Sequence, residues 1–210
     1  MIIPLFRKFW LLSYVTSRRL KLYCTGKKGC LQSQKNVVFT LILYIIISVC
    51  FLVNGVINVL PTPKKFFLTA ASAEGNSPLT AFDNALLAGR IGNINLIRVS
   101  SILPPGAVLC NDLVIPPGSL VPTAYGYIIS EEPGQLIAAS VGVGFSEDAF
   151  GVIMEHSCVG SRDEVHAEIE KMLKEAFVSR GMKLKEMKIA ATEHRVEKIG
   201  CALAAVPMWY

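Results

Sequence analysis

Hydrophobic residues along this chain fall into two regimes. Residues 37–60 make one uncharged and largely apolar run, VVFTLILYIIISVCFLVNGVINVL. About 20 such residues suffice for a helix to cross a bilayer. After Pro61 and Pro63 the apolar positions break into short stretches separated by turn residues. Residues 64–71, KKFFLTAA, have the composition of a strand. Glu74-Gly75-Asn76-Ser77 is a turn, and Ser77-Pro78 reads as an N-cap followed by proline at the first helical position. Leu79, Phe82 and Leu86 predict one apolar stripe on a helix ending near Gly89.

Residues 94–100 predict a further strand, stopped by the breaker Leu103-Pro104-Pro105-Gly106. Three β-rich runs follow at 120–130, 136–143 and 151–157, with Pro133-Gly134 as the turn between the first two. The clearest helix comes next. Ser161 and Glu164 form a capping box, Val165, Ile169, Met172, Leu173, Ala176 and Phe177 form the buried face, and Gly181 stands at the C′ position. Residues 183–193 and 200–207 read as two final strands. Two helices and six or seven strands predict an α/β fold, a layered sandwich in which each sheet face is covered.

Charge separates the two regimes. Residues 1–55 hold eight Lys or Arg and no acid, and the remainder holds thirteen Lys or Arg and all sixteen acids. The parts carry +8 and −3, so the basic character of the whole chain, +5, belongs to the N-terminal part. The main domain has no basic run interleaved with aromatics, so nucleic acid is not an expected partner. We divide the chain into an extension, 1–55, and a domain, 56–210. The extension has two readings. As a membrane anchor, its six basic residues between Arg18 and Lys35 keep the N-terminus in the cytoplasm. As residues upstream of a later true start, it leaves a cytoplasmic protein. A secretory signal fits neither the length of the basic region nor that of the apolar run.

Many common chemistries lack their signatures. There is no Walker loop, no G-x-S-x-G elbow and no H-E-x-x-H. The cysteines, Cys24, Cys30, Cys50, Cys110, Cys158 and Cys201, form no C-x-x-C pair and read as thiols of a reducing compartment. His156, His166 and His194 are far apart; His166 falls on the solvated side of its helix. Gly142-x-Gly144 reads as close packing of a strand.

One segment remains: Gly92-Asn93-Ile94-Asn95-Leu96-Ile97-Arg98-Val99-Ser100-Ser101-Ile102-Leu103-Pro104-Pro105-Gly106, a strand running into Ser-Ser and a proline breaker. Alone, a Ser-Ser pair marks a strand end. The longer string resembles the self-cleavage segment of the pyruvoyl-dependent arginine decarboxylases, G-[IV]-G-N-x-N-L-x-x-V-S-S-I-L-P-P. The resemblance covers most of residues 57–210, including Ala81-Phe82-Asp83-Asn84-Ala85-Leu86-Leu87, Ile153-Met154-Glu155 and Glu193-His194-Arg195-Val196. Arg90 departs from it, standing where a small residue is expected, and so does the extension.

The resemblance implies an αββα-type sandwich, cleaved into two chains between Ser100 and Ser101. The Ser101 hydroxyl attacks the Ser100 carbonyl, elimination frees Ser100 as a new C-terminus, and loss of ammonia leaves a covalent pyruvoyl group at 101. It implies neither metal nor PLP. Asn95 is the implied stabiliser of the oxyanion. The pyruvoyl group would form a Schiff base with L-arginine, which loses CO2 to give agmatine, a polyamine precursor. Glu155 is the implied acid that returns the proton, and Asp83 the implied partner of the substrate guanidinium. A homotrimer with sites between protomers is implied as well. Two other readings stay open: the same chemistry on another amino acid, and an unprocessed, membrane-tethered module without catalysis.

Overall fold

The computed structural model describes residues 61–147 and 149–210. The extension 1–55 and the apolar run 37–60 lie outside the described residues. Among the described residues, no helix is long and apolar enough to cross a membrane.

Among the described residues, ten strands and two helices form the domain. In chain order they are β1 (Lys65–Phe66), β2 (Thr69–Glu74), α1 (Pro78–Ala88), β3 (Asn95–Arg98), β4 (Ile102–Leu103), β5 (Val108–Leu109), β6 (Leu120–Ser130), β7 (Leu136–Ser146), β8 (Gly151–Val159), α2 (Arg162–Ser179), β9 (Leu184–Arg195) and β10 (Gly200–Trp209). One sheet has six strands in the order β3-β6-β10-β1-β5, with β2 also along β10. The other runs β4-β8-β7-β9.

Strand β10 shows why the layers stack as they do. Successive side chains of a strand point to opposite faces. Ala202, Ala204, Val206 and Met208 enter the core shared with Ala139, Val141 and Val143 of β7. Cys201, Leu203 and Ala205 point the other way, onto Ala81 and Ala85 of α1. Both faces are therefore apolar. The second sheet repeats the arrangement with α2, whose Val165, Ile169, Leu173 and Phe177 are buried. Gly142 and Gly144 let that helix close on β7: a Cβ at Gly144 would stand 2.6 Å from a Phe177 ring carbon. The order of layers is helix, sheet, sheet, helix.

The Ser161–Glu164 capping box forms as expected, and the Ser77 N-cap turns out to form one too, with Thr80. Several boundaries differ from expectation. Residues 64–71 are two strands rather than one: both run along β10 in a single register, and the ladder lapses opposite Pro207, which accepts from the Phe67 N–H but has no N–H to return. The stripe on α1 is also different. Ala81 and Ala85 are buried, Phe82 and Leu86 pack at the edge, and Leu79 is 75 % exposed. Small residues bring the helix close to the sheet, and Leu79, two residues before Ala81 and so about 200° around the helix from it, faces solvent. On α2, Met172 is only half-buried, because it borders a cavity. Arg90 follows the C-cap of α1 with φ 64°, a left-handed conformation that costs a non-glycine residue about 1–2 kcal/mol. Its guanidinium donates to Asn111 O at 3.1 Å and lies over the Phe67 ring, which offsets that cost.

A polar latch joins the two sheets at one end. Glu74, the last residue of β2, accepts hydrogen bonds from the backbone N–H groups of Glu197, Lys198 and Ile199 at 2.9–3.1 Å and pairs with His194 of β9. His194 is thus structural. Desolvation raises the Glu74 pKa, but the Glu197 N–H, His194 and the other donors outweigh it and hold the carboxyl at about 2, against an ordinary 4.5. A carboxyl with a depressed native pKa stabilises the fold above its unfolded value and loses that contribution as pH falls. We predict that stability declines as pH drops from about 4.5 toward 2, and that Glu74→Gln flattens this part of the profile. At neutral pH the same variant should lose about 1–2 kcal/mol, the scale of a few partly exposed charge-assisted hydrogen bonds. Urea titrations at a series of pH values measure both.

Candidate active site

Strand β3 is an edge of the six-stranded sheet, and β4 is an edge of the other. Residues 99–101 are the only chain between them, so the Ser100–Ser101 peptide crosses from one sheet to the other. Each end is fastened. The Val99 N–H donates to Thr123 O of β6 at 3.3 Å, and the Ile153 N–H of β8 donates to Ser101 O at 2.8 Å. The span is short, and Ser101 takes up a φ of 69°. Left-handed conformations of non-glycine residues store about 1–3 kcal/mol and persist only where the surroundings enforce them.

Glu155 lies two residues beyond Ile153 on β8. The Ser101 Oγ donates to its carboxylate, 3.2 Å from Oε1 and 3.0 Å from Oε2. Gly126 on β6 makes room for it: a Cβ there would come 3.3 Å from the Glu155 Cβ. Desolvation raises the Glu155 pKa, opposed in part by the Ser101 hydroxyl and by the charge of Arg98. Arg98 is braced over the Tyr125 ring, 5.0 Å from its centre. A raised carboxyl pKa, a hydroxyl in contact and a nearby cation together make this a candidate functional site.

Two cavities flank the crossing peptide. One, of about 340 Å³, is lined by Ser100, Ser101, Glu155, Met154, Met172 and Arg180 among others. The other, of about 330 Å³, lies on the side of Pro63, Pro104, Met208 and Tyr210 and also reaches Ser100 and Ser101.

Of the residues singled out from sequence, Ser100, Ser101 and Glu155 therefore come together. Asn95 and Asp83 stand apart from them in this chain. Asn95, at the far end of β3, is exposed and donates from Nδ2 to Gly118 O at 2.8 Å. Asp83 is exposed on α1. Neither lines a cavity with Ser101. Arg98, Met172 and Arg180 were not anticipated. Arg98 is inside the distinctive segment and could have been noticed there, whereas Met172 and Arg180 approach only through packing of α2. Among the described residues, no cluster of three or more His, Cys, Asp or Glu could hold a metal ion.

The Ser101 hydroxyl is free of backbone partners, its backbone is left-handed, and cavities open on both sides of it. The family model described as pyruvoyl-dependent arginine decarboxylase matches residues 65–210. Proteins named pyruvoyl-dependent arginine decarboxylase from Methanococcus maripaludis strain C7 and from Methanocaldococcus jannaschii are each 47 % identical over 150 residues, covering 70 % of this chain and 92 % and 91 % of theirs. One from Pyrococcus horikoshii is 46 % identical over 152 residues, covering 70 % of this chain and 96 % of its own. With a matching family model over most of its length and relatives near half-identity, this chain belongs to the pyruvoyl-dependent arginine decarboxylase family.

Proposed function

We propose that this protein cleaves itself between Ser100 and Ser101 and, with the pyruvoyl group so formed, decarboxylates L-arginine to agmatine. The observation that carries the proposal is the clamp on Ser101, with its carbonyl held by Ile153, its hydroxyl on Glu155 and its φ left-handed.

The chain's own residues divide the work. Strain raises the Ser100–Ser101 peptide toward attack, and the bond to Glu155 holds the Ser101 hydroxyl in place. A pyruvoyl group at position 101 supplies the electron sink that decarboxylation needs. Glu155 holds a proton more readily than an ordinary carboxyl, because burial disfavours its charged form. It is therefore suited to return a proton to the substrate α-carbon. The apolar side chains of Val152, Met154 and Met172 narrow the access of water to this cavity.

Asp83 and Asn95 lie outside the cavities of their own chain, which favours a site completed by neighbouring copies. We take the assembly to be a homotrimer in the cytoplasm, where Asp83 of one copy pairs with the guanidinium of arginine held at Ser101 of another. Asn95 would serve the oxyanion of self-cleavage.

Three outcomes are expected. The purified protein should contain one chain ending at Ser100 and another beginning with pyruvoyl in place of Ser101, whereas Ser101→Ala should remain a single, inactive chain. Intact-mass measurement decides this, and an active preparation of uncut chains would refute it. Glu155→Gln should still cleave, because the amide oxygen can accept from the Ser101 hydroxyl, yet lose about 10²–10⁴ in turnover for want of an acid. Normal turnover by the cleaved variant would remove Glu155 from the mechanism. Asp83→Asn should cleave normally, raise the arginine KM and narrow the preference for arginine over lysine by about 5- to 150-fold, the value of one well-paired carboxylate. Assays of CO2 release with both amino acids test it, and an unchanged preference places the guanidinium site elsewhere.

A further inference from the structure

Maturation changes the charge of the cavity that Glu155 and Arg180 line in a way that ordinary proteolysis does not. Hydrolysis of a peptide creates a carboxylate and an ammonium together. Here the Ser101 Oγ takes the Ser100 acyl group, its proton passes to the nitrogen, and elimination breaks the Cβ–Oγ bond. The Oγ becomes one oxygen of the Ser100 carboxylate. Water then replaces the nitrogen at position 101, and ammonia departs. One water is consumed, one ammonia is released, and the new chain end at 101 is uncharged. The protein is left with one additional negative charge at Ser100.

That charge appears in the cavity that already holds the Glu155 carboxyl. Among the residues lining this cavity, Arg180 is the one cation. It stands at the C-cap of α2, where Nη1 donates to Ala176 O at 2.9 Å. That single bond fixes the direction of the guanidinium and leaves its other N–H groups available. An arginine can serve a carboxylate with two parallel donors. Before cleavage the cavity presents no carboxylate but that of Glu155, which is already engaged by the Ser101 hydroxyl. Arg98, the other cation near Glu155, is committed to the Tyr125 ring on β6.

We propose that Arg180 is a positioning residue that pairs with the carboxylate created on Ser100 by self-cleavage. The inference rests on the cleavage reading above. Its function is to hold the severed end out of the substrate's path. An Arg180 so engaged is also unavailable to stabilise the substrate's own carboxylate, which must leave as neutral CO2.

The test uses the full chain with Gln, Met or Lys at position 180, followed by exposure of each cleaved protein to a carboxypeptidase and mass analysis of the chain that ends at Ser100. All three variants should self-cleave, since the peptide is neutral before the cut. Arg180→Gln and Arg180→Met should lose Ser100 at least about tenfold faster than the parent, the loss of one charge-assisted pair. Arg180→Lys should restore protection, and raised salt should speed trimming of the parent. Gln can still donate to Ala176 O. If Arg180 only caps its helix, Gln protects and Lys does not, and the proposal fails. It fails equally if all variants trim at the parental rate, or if they raise the arginine KM tenfold without changing trimming, which would assign Arg180 to the substrate carboxylate. A parent that is never cut would remove the cleavage reading itself, and the intact mass reports that separately.

Discussion

The fastening of Ser101 to β8 is the constraint on which the site depends. A single strand supplies the N–H of Ile153 to the Ser101 carbonyl and the carboxylate of Glu155 to its hydroxyl. Because Ile153 and Glu155 are two apart, both act on the same stretch of crossing chain. Neither contact would strain a free loop. They do so here because the preceding residue, Val99, is tied to β6 in the opposite sheet. The peptide between these anchors cannot relax without pulling an edge strand from its neighbour.

The rest of the domain keeps those anchors still. Strand β7 is buried along almost its whole length and holds β8 in register on one side and β9 on the other. Strand β10 does the same for β6. Small residues at Ala202, Ala204, Ala205, Gly142 and Gly144 allow the layers to approach closely. Close-packed interiors transmit displacement rather than absorbing it, so a shift in either sheet is felt at the crossing peptide. Glu74 and His194 fasten the opposite end of the sandwich with polar contacts where apolar packing gives out.

Much of the fold was legible because it follows from periodicity. Both helices, their caps and the five long strands β6–β10 appear where alternation or a 3.6-residue stripe predicts them. What escaped were the two-residue strands β1, β4 and β5, too short to show any alternation, and the break after Phe66, which arises from Pro207 on the partner strand, distant in sequence. Leu79 misled for a related reason: stripe arguments favour large residues, while α1 packs through alanines. At the site, Ser101 and Glu155 were recognised through resemblance to a family rather than from local pattern, since 54 residues separate them. Arg180 carried no local signal, because it comes to line the same cavity as Ser100 only when the second helix lies on its sheet.

The position of the proposed cut, between Ser100 and Ser101, has a consequence for how the molecule is made. Residues before 101 supply β1, β2, α1 and β3, and those after it supply the remaining strands and helix, so both products contribute to one sheet. Strands β1 and β2 lie along β10, and β3 lies along β6, with side chains sealed into shared cores. On the proposed mechanism the Ser100–Ser101 bond is poised only when those pairings exist, so assembly would precede the cut, and the cut would be irreversible once ammonia has left. Each mature molecule would then carry a permanent chemical record that it folded correctly, and a chain that misfolds would never acquire the reactive group at all.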